Sequence, residues 1–318
     1  MKIAHSLRWT PRMCGLYETA RELIAAECEL GHDAWAVDPV DNSKFGALDR
    51  GVQLRSSAAG ADVVIDHSGI TTEIRAVGAP VIHTRHGRPR STYLLDATDT
   101  IKGVYSHIRR VGQSEGYAEI VTFWPQHVSH WELLCGRKVH CIPAPVDLKA
   151  WTPDGPTGYR FGGHRGACNV IIADAWRTDI DPFEAICEIA EIPNVTLHLY
   201  ALPTNAATDT LVEALRARGV LGEAKPRVQG LANVYRAADA AIVPHNIDTR
   251  SVREAMACGC PVVRYPGRGW ALESRIADCK RRRLELKQRM REEAEARFNP
   301  RSSAQALLEI IQRCEVTA

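Results

Sequence analysis

Long apolar runs are missing from this sequence. No stretch approaches the roughly 18–20 apolar residues that a membrane span needs. The opening residues, MKIAHSLRW, lack the apolar core of a secretory leader. A cytoplasmic location is the expectation. An excess of one charge is missing too: 40 Lys and Arg stand against 38 Asp and Glu, a net charge of +2. That excludes a dedicated polyanion binder and leaves room for a local basic patch. Paired cysteine motifs are absent. The ten cysteines are scattered through apolar patterns, which predicts buried free thiols in a reducing compartment. Cys258 and Cys260 straddle a helix end and have no second pair with which to hold zinc. His127 and His130 lack a carboxylate or a third ligand. No internal repeat stands out, and no lysine occurs between positions 150 and 224.

What is present is the patterning of an α/β protein. With 318 residues, 45% hydrophobic and 25% charged, the chain is long enough for two globular domains of ordinary size. Residues 2–7 form a first strand and a loop with Pro11 and Gly15 follows. Ala20, Leu23, Ile24 and Leu30 then recur at helical spacing up to Gly31, and residues 34–37 form the next strand. This β-loop-α-β opening marks the α/β class. Further strands are expected at 62–66, 80–84, 119–124, 169–173 and 195–200. A helix capped by Asp181, with Pro182 at its first position, is expected before the last of these. Others are expected over 208–218, 270–295 (long and charged) and 303–314. Residues 153–166, rich in Gly and Pro, read as a linker.

The chain is organised around residues 227–263. Their pattern reads as strand, turn, helix, strand, loop, helix, strand. Ala240, Ala241, Ile242 and Val243 make a short buried strand that Pro244 stops. A helix begins near Ser251 and ends at Cys258 and Gly259, with Pro261 just beyond. A loop and a helix N-terminus thus stand at the carboxyl end of a strand, where open α/β sheets bind ligands. The backbone N–H groups of Arg250, Ser251 and Val252 are suited to a phosphate.

These residues resemble the donor-site signature of glycosyltransferase family 4 (glycosyl transferases group 1) and its GT-B relatives. That pattern is a buried strand ending in Pro, a loop and helix carrying two glutamates, and a segment of the form EAmA-G-PVV. Residues 254–263, EAMACGCPVV, fit its second half. The first glutamate position holds Asn246 and the second holds Glu254. Residues 31–37, GHDAWAV, fit the turn into the second strand, and the Gly-Gly pair of the first loop is here Cys14-Gly15. His86-Gly87 matches the segment whose His contacts the donor sugar. Residues 139–153 resemble the segment that closes the N-terminal domain. The resemblance implies an α/β fold with two Rossmann-like domains facing each other across a cleft. Residues 1–155 would form an acceptor-side domain and 156–296 a nucleotide-sugar-binding domain. Residues 297–318 would be the final helix, which in such enzymes often crosses back onto the first domain.

The implied function is transfer of a sugar from a nucleotide-diphosphate sugar, with retention, without a metal and without a cofactor. His86 and Asn246 would act on the sugar. Gly15, Arg177, Arg250, Ser251, Val252 and Glu254 would bind the donor, with Glu254 on the ribose hydroxyls. Ser251 and Glu254 also have the spacing of a capping box, in which Glu254 satisfies the helix start instead. Asn246 hydrogen-bonds hydroxyls but cannot act as a base; Asp248 stands two residues on. Asp179 and Asp181 suit helix capping better than metal binding. The family's diphosphate-binding lysine has no counterpart here. Arg85, Arg88, Arg90, Lys102, Arg109 and Arg110 outnumber Asp96 and Asp99 in residues 85–110. Arg88 and Arg90 are therefore candidates for an anionic acceptor, although a solvated basic surface explains the run equally. The acceptor class stays open: glycan, lipid, small molecule or nucleic-acid base. Competing readings are a non-catalytic nucleotide-sugar-binding module and a GT-B nucleotide-sugar epimerase.

Overall fold

Short runs, apolar and buried in the inner strands, pair in parallel to form two separate sheets. The computed structural model describes residues 1–7, 15–37, 52–67, 77–86, 116–156, 158–162, 167–173, 182–226, 230–265, 267 and 271–317. These divide into two units, Met1–Pro145 with Phe298–Ala318, and Val146–Arg297.

The first unit holds β1 (Lys2–Ser6), α1 (Gly15–Glu29), β2 (Asp33–Val37), β3 (Gln53–Arg55), β4 (Val63–Asp66), β5 (Val81–Arg85), β6 (Glu119–Thr122), α2 (Val128–Cys135) and β7 (His140–Cys141). The strands lie in the order β3-β2-β1-β4-β5-β6-β7. Ile3 stands opposite Ala34 on one side and Val63 on the other, so β1 is central. Ala4, Trp35, Val64, Ile120 and Trp131 pack together on one face of this sheet. Glycine ends α1 cleanly: Gly31 has φ +88°, a left-handed conformation that a side chain would strain.

The second unit holds β8 (Cys168–Ile172), α3 (Phe183–Ile189), β9 (Val195–Tyr200), α4 (Ala206–Ala217), β10 (Leu221–Lys225), α5 (Leu231–Ala237), β11 (Ala240–Val243), α6 (Arg250–Ala257), β12 (Val262–Arg264), α7 (Leu272–Arg281) and α8 (Arg283–Arg297). The order is β10-β9-β8-β11-β12. Alternate residues of β8 serve opposite faces. Val170 and Ile172 join α3, α4 and α7 in one core, and Ile171 joins Tyr235, Ala255 and Cys258 in the other. Helices on both faces of a parallel sheet make this a doubly wound unit. After α8 the chain returns to the first unit, where α9 (Pro300–Thr317) packs along α1.

Four local expectations shift. β10 adds a strand before α5 that the pattern did not suggest, and the expected run from residue 227 lies outside the described residues. The cap of α3 is Pro182, so that helix starts one residue later, and Asp181 lies outside the described residues. The long charged helix is two helices that meet at Arg282 (φ −103°, ψ 23°). Its basic run is pulled out of line by Arg283, whose guanidinium binds Asp239 at 3.1 Å and the carbonyls of Arg236 and Ala237 at 3.1 and 2.8 Å. Those carbonyls end α5, where a cation is favoured. The cysteines, too, are less uniform than expected: Cys28 and Cys141 are exposed, whereas Cys168, Cys258, Cys260 and Cys279 are buried.

Candidate functional site

In the second sheet the chain order reverses between β8 and β11. The loop after β11, residues 244–249, and the N-terminus of α6 stand beside that reversal, at the carboxyl ends of the strands. The loop is braced from below. Asp248, nearly buried, is shared by the guanidinium groups of Arg264 and Arg297. Arg264 Nη1 also donates to the Ile247 carbonyl at 3.1 Å, and Ile247 itself is buried. Asp248 is thus an anchor of the loop, claimed by two arginines.

Thr249 is the N-cap of α6, and its carbonyl accepts from Arg253 N at 3.1 Å. Ser251 therefore lies inside the first turn, and the capping box does not form. Its hydroxyl is 3.2 Å from that of Thr249. Glu254 instead accepts from Arg250 Nε at 2.6 Å, in an i,i+4 pair with both side chains mostly buried. Two candidate donor ligands are thus bonded to each other. The amides of Arg250, Ser251 and Val252 occupy the first turn, where N–H groups are not used by the helix's own ladder and the dipole favours an anion.

Asn246 is exposed. It lines a cavity of about 280 Å³ with Met256, Val262, Arg264, Arg275 and Glu293. Arg250 to Glu254 do not line it. Arg177, Arg88 and Arg90 lie outside the described residues.

A cluster that sequence reasoning missed occupies the carboxyl ends of β9 and β10. Glu223 accepts from the hydroxyls of Tyr159 (2.5 Å) and Tyr200 (2.8 Å), and Lys225 Nζ lies 3.0 Å from it. Burial raises the Glu223 carboxyl, but hydrogen bonds from Tyr159, Tyr200 and Lys225 outweigh it and hold the group below its usual value. The Lys225 ammonium is held above its usual value, first by the Tyr159 hydroxyl and then by Glu223. The first lysine after the long lysine-free stretch thus ends a strand, at the carboxyl edge of the sheet. Leu221 to Lys225 are all half-buried, so no alternation betrays the strand.

In the first unit, Gly15 begins α1, and its carbonyl accepts from Thr19 Oγ1 at 2.8 Å. His86 follows β5 and is half-buried, with its ring 4.7 Å from that of Phe123. Its Nε2 lies 2.8 Å from His67 Nδ1 and 3.1 Å from Thr84 Oγ1. His83 packs within the strand, 2.8 Å from Asp66 Oδ2. Burial lowers its pKa against the opposing pull of Asp66. Trp124 and Trp131 are buried, and Arg85 covers the Trp131 ring at 5.1 Å. Among the described residues no group of three His, Cys, Asp or Glu side chains is placed to hold a metal. Among them, too, no helix is long and apolar enough to cross a membrane.

No protein-family model matches the sequence, and no curated protein matches it. Solved structures do match its fold. A sucrose-phosphate synthase from Thermosynechococcus elongatus is similar over 100% of both chains at 15% identity and a TM-score of 0.68. A glycosyltransferase from Rickettsia africae is similar over 100% of this chain and 99% of its own, at 11% identity and a TM-score of 0.69. The pneumococcal O-GlcNAc transferase GtfA, solved with UDP and GlcNAc, is similar over 79% of this chain and 56% of its own, at 12% identity and a TM-score of 0.53. At these identities the likeness establishes the fold: α/β, with two Rossmann-like domains of the GT-B type.

Proposed function

We propose that this protein is a cytoplasmic glycosyltransferase that moves a sugar from a nucleoside-diphosphate sugar to an acceptor, with retention at the anomeric carbon and without a metal. The observation that carries the reading is the N-terminus of α6 at the carboxyl end of β11, beside the reversal of strand order. Such a terminus meets the two negative charges of a leaving diphosphate with fixed dipoles that need no reorganisation. The amides of Arg250, Ser251 and Val252 take the phosphates. Arg250 adds a charge and steers the Glu254 carboxylate, whose second oxygen accepts from the ribose. Arg177 is the further cation expected at the diphosphate.

His86 and Gly15 serve the sugar, His86 as a hydrogen-bond partner and Gly15 by letting the backbone approach. Asn246 offers a neutral amide to a sugar hydroxyl. Solved structures of this fold that carry UDP and a sugar support the donor class. Arg88 and Arg90 are the proposed contacts for an anionic acceptor.

A thermal-shift panel of nucleotide sugars tests the reading. A donor held at a hundredfold its Kd stabilises the folded state by about 2.7 kcal/mol. Transfer then persists in excess EDTA, and NMR of the product shows the donor's anomeric configuration. If no nucleotide sugar shifts the unfolding temperature, the assignment fails. The exposed amide of Asn246, in place of a carboxylate, favours one second reading, a sugar-nucleotide-binding module without turnover. Binding with neither transfer nor donor hydrolysis selects it.

A further inference from the structure

A hydrogen-bonded chain runs through the first unit from α1 to His86. Glu27 Oε2 lies 2.7 Å from His5 Nε2. His5 Nδ1 lies 2.9 Å from His67 Nε2. His67 Nδ1 lies 2.8 Å from His86 Nε2 and 2.8 Å from Thr84 Oγ1. Glu27 and His5 are fully buried and His67 is nearly so. His5 is on β1 and His67 directly follows β4, the two strands between which the order of the first sheet reverses. The chain thus passes through the point where a sheet of this kind takes its ligand and ends on a half-buried imidazole.

The direction of the chain follows from its buried end. A carboxylate only accepts, so His5 donates through Nε2. With Nε2 as the donor, His5 Nδ1 is the acceptor, and His67 donates to it through Nε2. Burial first, then His86, His5 and His83, lowers the His67 pKa well below the usual value. A neutral His67 accordingly carries no hydrogen on Nδ1. Two ring nitrogens 2.8 Å apart need a hydrogen between them, so His86 supplies it from Nε2.

We propose that Glu27, His5 and His67 are positioning residues that fix His86 as its Nε2–H tautomer, so that its Nδ1 lone pair receives a hydroxyl of the donor sugar. The polarised imidazole then carries part of the Glu27 charge to a sugar that becomes cationic as the diphosphate departs. No covalent step is involved: the hydroxyl keeps its proton and shares it with Nδ1.

Packing alone does not account for this chain. Glu27 Oε1 has no hydrogen-bond partner among the described residues, and a carboxylate left half-satisfied in the interior is costly. Nor does a metal account for it. An ion about 2.0–2.1 Å from each ring nitrogen forces those nitrogens farther apart than a hydrogen bond.

The proposal rests on His86 as the sugar-contacting histidine, but its first test needs no sugar. With ¹⁵N-labelled histidine, the wild-type spectrum is expected to show His86 protonated at Nε2 and unprotonated at Nδ1, the signal being assigned by its loss in His86→Gln. In Glu27→Gln the amide can donate to His5, which permits the whole chain to reverse, and His86 is expected to gain Nδ1–H. Donor turnover in that variant falls on the order of ten- to a hundredfold with little change in KM, as loss of outer-shell partners does at other sites. A wild-type His86 protonated at Nδ1 overturns the proposal, and that spectrum decides even if the variant does not fold. So does unchanged donor turnover in a folded Glu27→Gln, which has lost the charge that the chain carries. The expected tautomer without binding of any nucleotide sugar instead removes the transferase reading and leaves the relay standing.

Discussion

His198 lies on β9 with no exposed surface, its Nε2 3.0 Å from the side-chain oxygen of Asn169. Burial, only partly countered by Glu223, pushes its pKa down to about 4. An unfolded chain protonates that ring near pH 6.5, and the folded one refuses the proton until about pH 4. Stability is therefore whole above pH 6.5 and declines as the pH falls toward 4, by roughly 3 kcal/mol from this group. His198→Gln should flatten that decline, read from urea midpoints at pH 7.5 and 4.5. An equal loss in both proteins would sink the assignment. The Arg250–Glu254 pair makes a second residue-level statement. Arg250→Ala removes a charge from the first turn of α6 and releases the carboxylate it steers. Nucleotide-sugar affinity should weaken about tenfold, the size expected for a charge-assisted hydrogen bond, as measured by titration calorimetry. An unchanged Kd would mean that the side chains of α6 do not touch the donor.

The elements around α6 owe their geometry to a close approach. Gly259, with φ +74°, ends the helix, and a Cβ there would stand 2.9 Å from the Lys287 carbonyl of α8 and 2.6 Å from Lys287 Cγ. Arg291 of the same helix donates to the Ala257 carbonyl at 3.0 Å and to Trp151 O at 2.8 Å. Gly259→Ala adds backbone strain to a clash and should lower stability by about 1–3 kcal/mol, visible as a drop in Tm. A neutral effect would show that α8 moves aside freely. Gly259 was legible in the sequence as a helix stop because its neighbours are regular. Ala240 to Val243 and Val252 to Ala257 are continuously buried, so pattern and structure coincide. β3 and β10 were not legible, since partly exposed runs such as QLR and LGEAK carry no period. The break at Arg282 was hidden because it depends on a tertiary partner, Asp239. The histidine relay was hidden for the same reason: His5 and His67 are 62 residues apart, and only the pairing of β1 with β4 joins them.

Across the whole molecule, the first unit is built from both ends of the chain. Ala304, Leu307, Ile310 and Ile311 of α9 are buried, and α9 lies along α1, the helix that carries Glu27. Leu307→Ala should cost about 2–5 kcal/mol and expose residues 1–145 to limited proteolysis. Cleavage confined to the second unit would contradict this packing. The arrangement also sets an order of events during synthesis. The ribosome must finish the entire second unit before the helix that seals the first one emerges. At about 5–20 residues per second the wait is on the order of ten seconds. Until then the apolar flank of α1 stands bare, a client for a chaperone, while the unit translated later already has all of its own sequence.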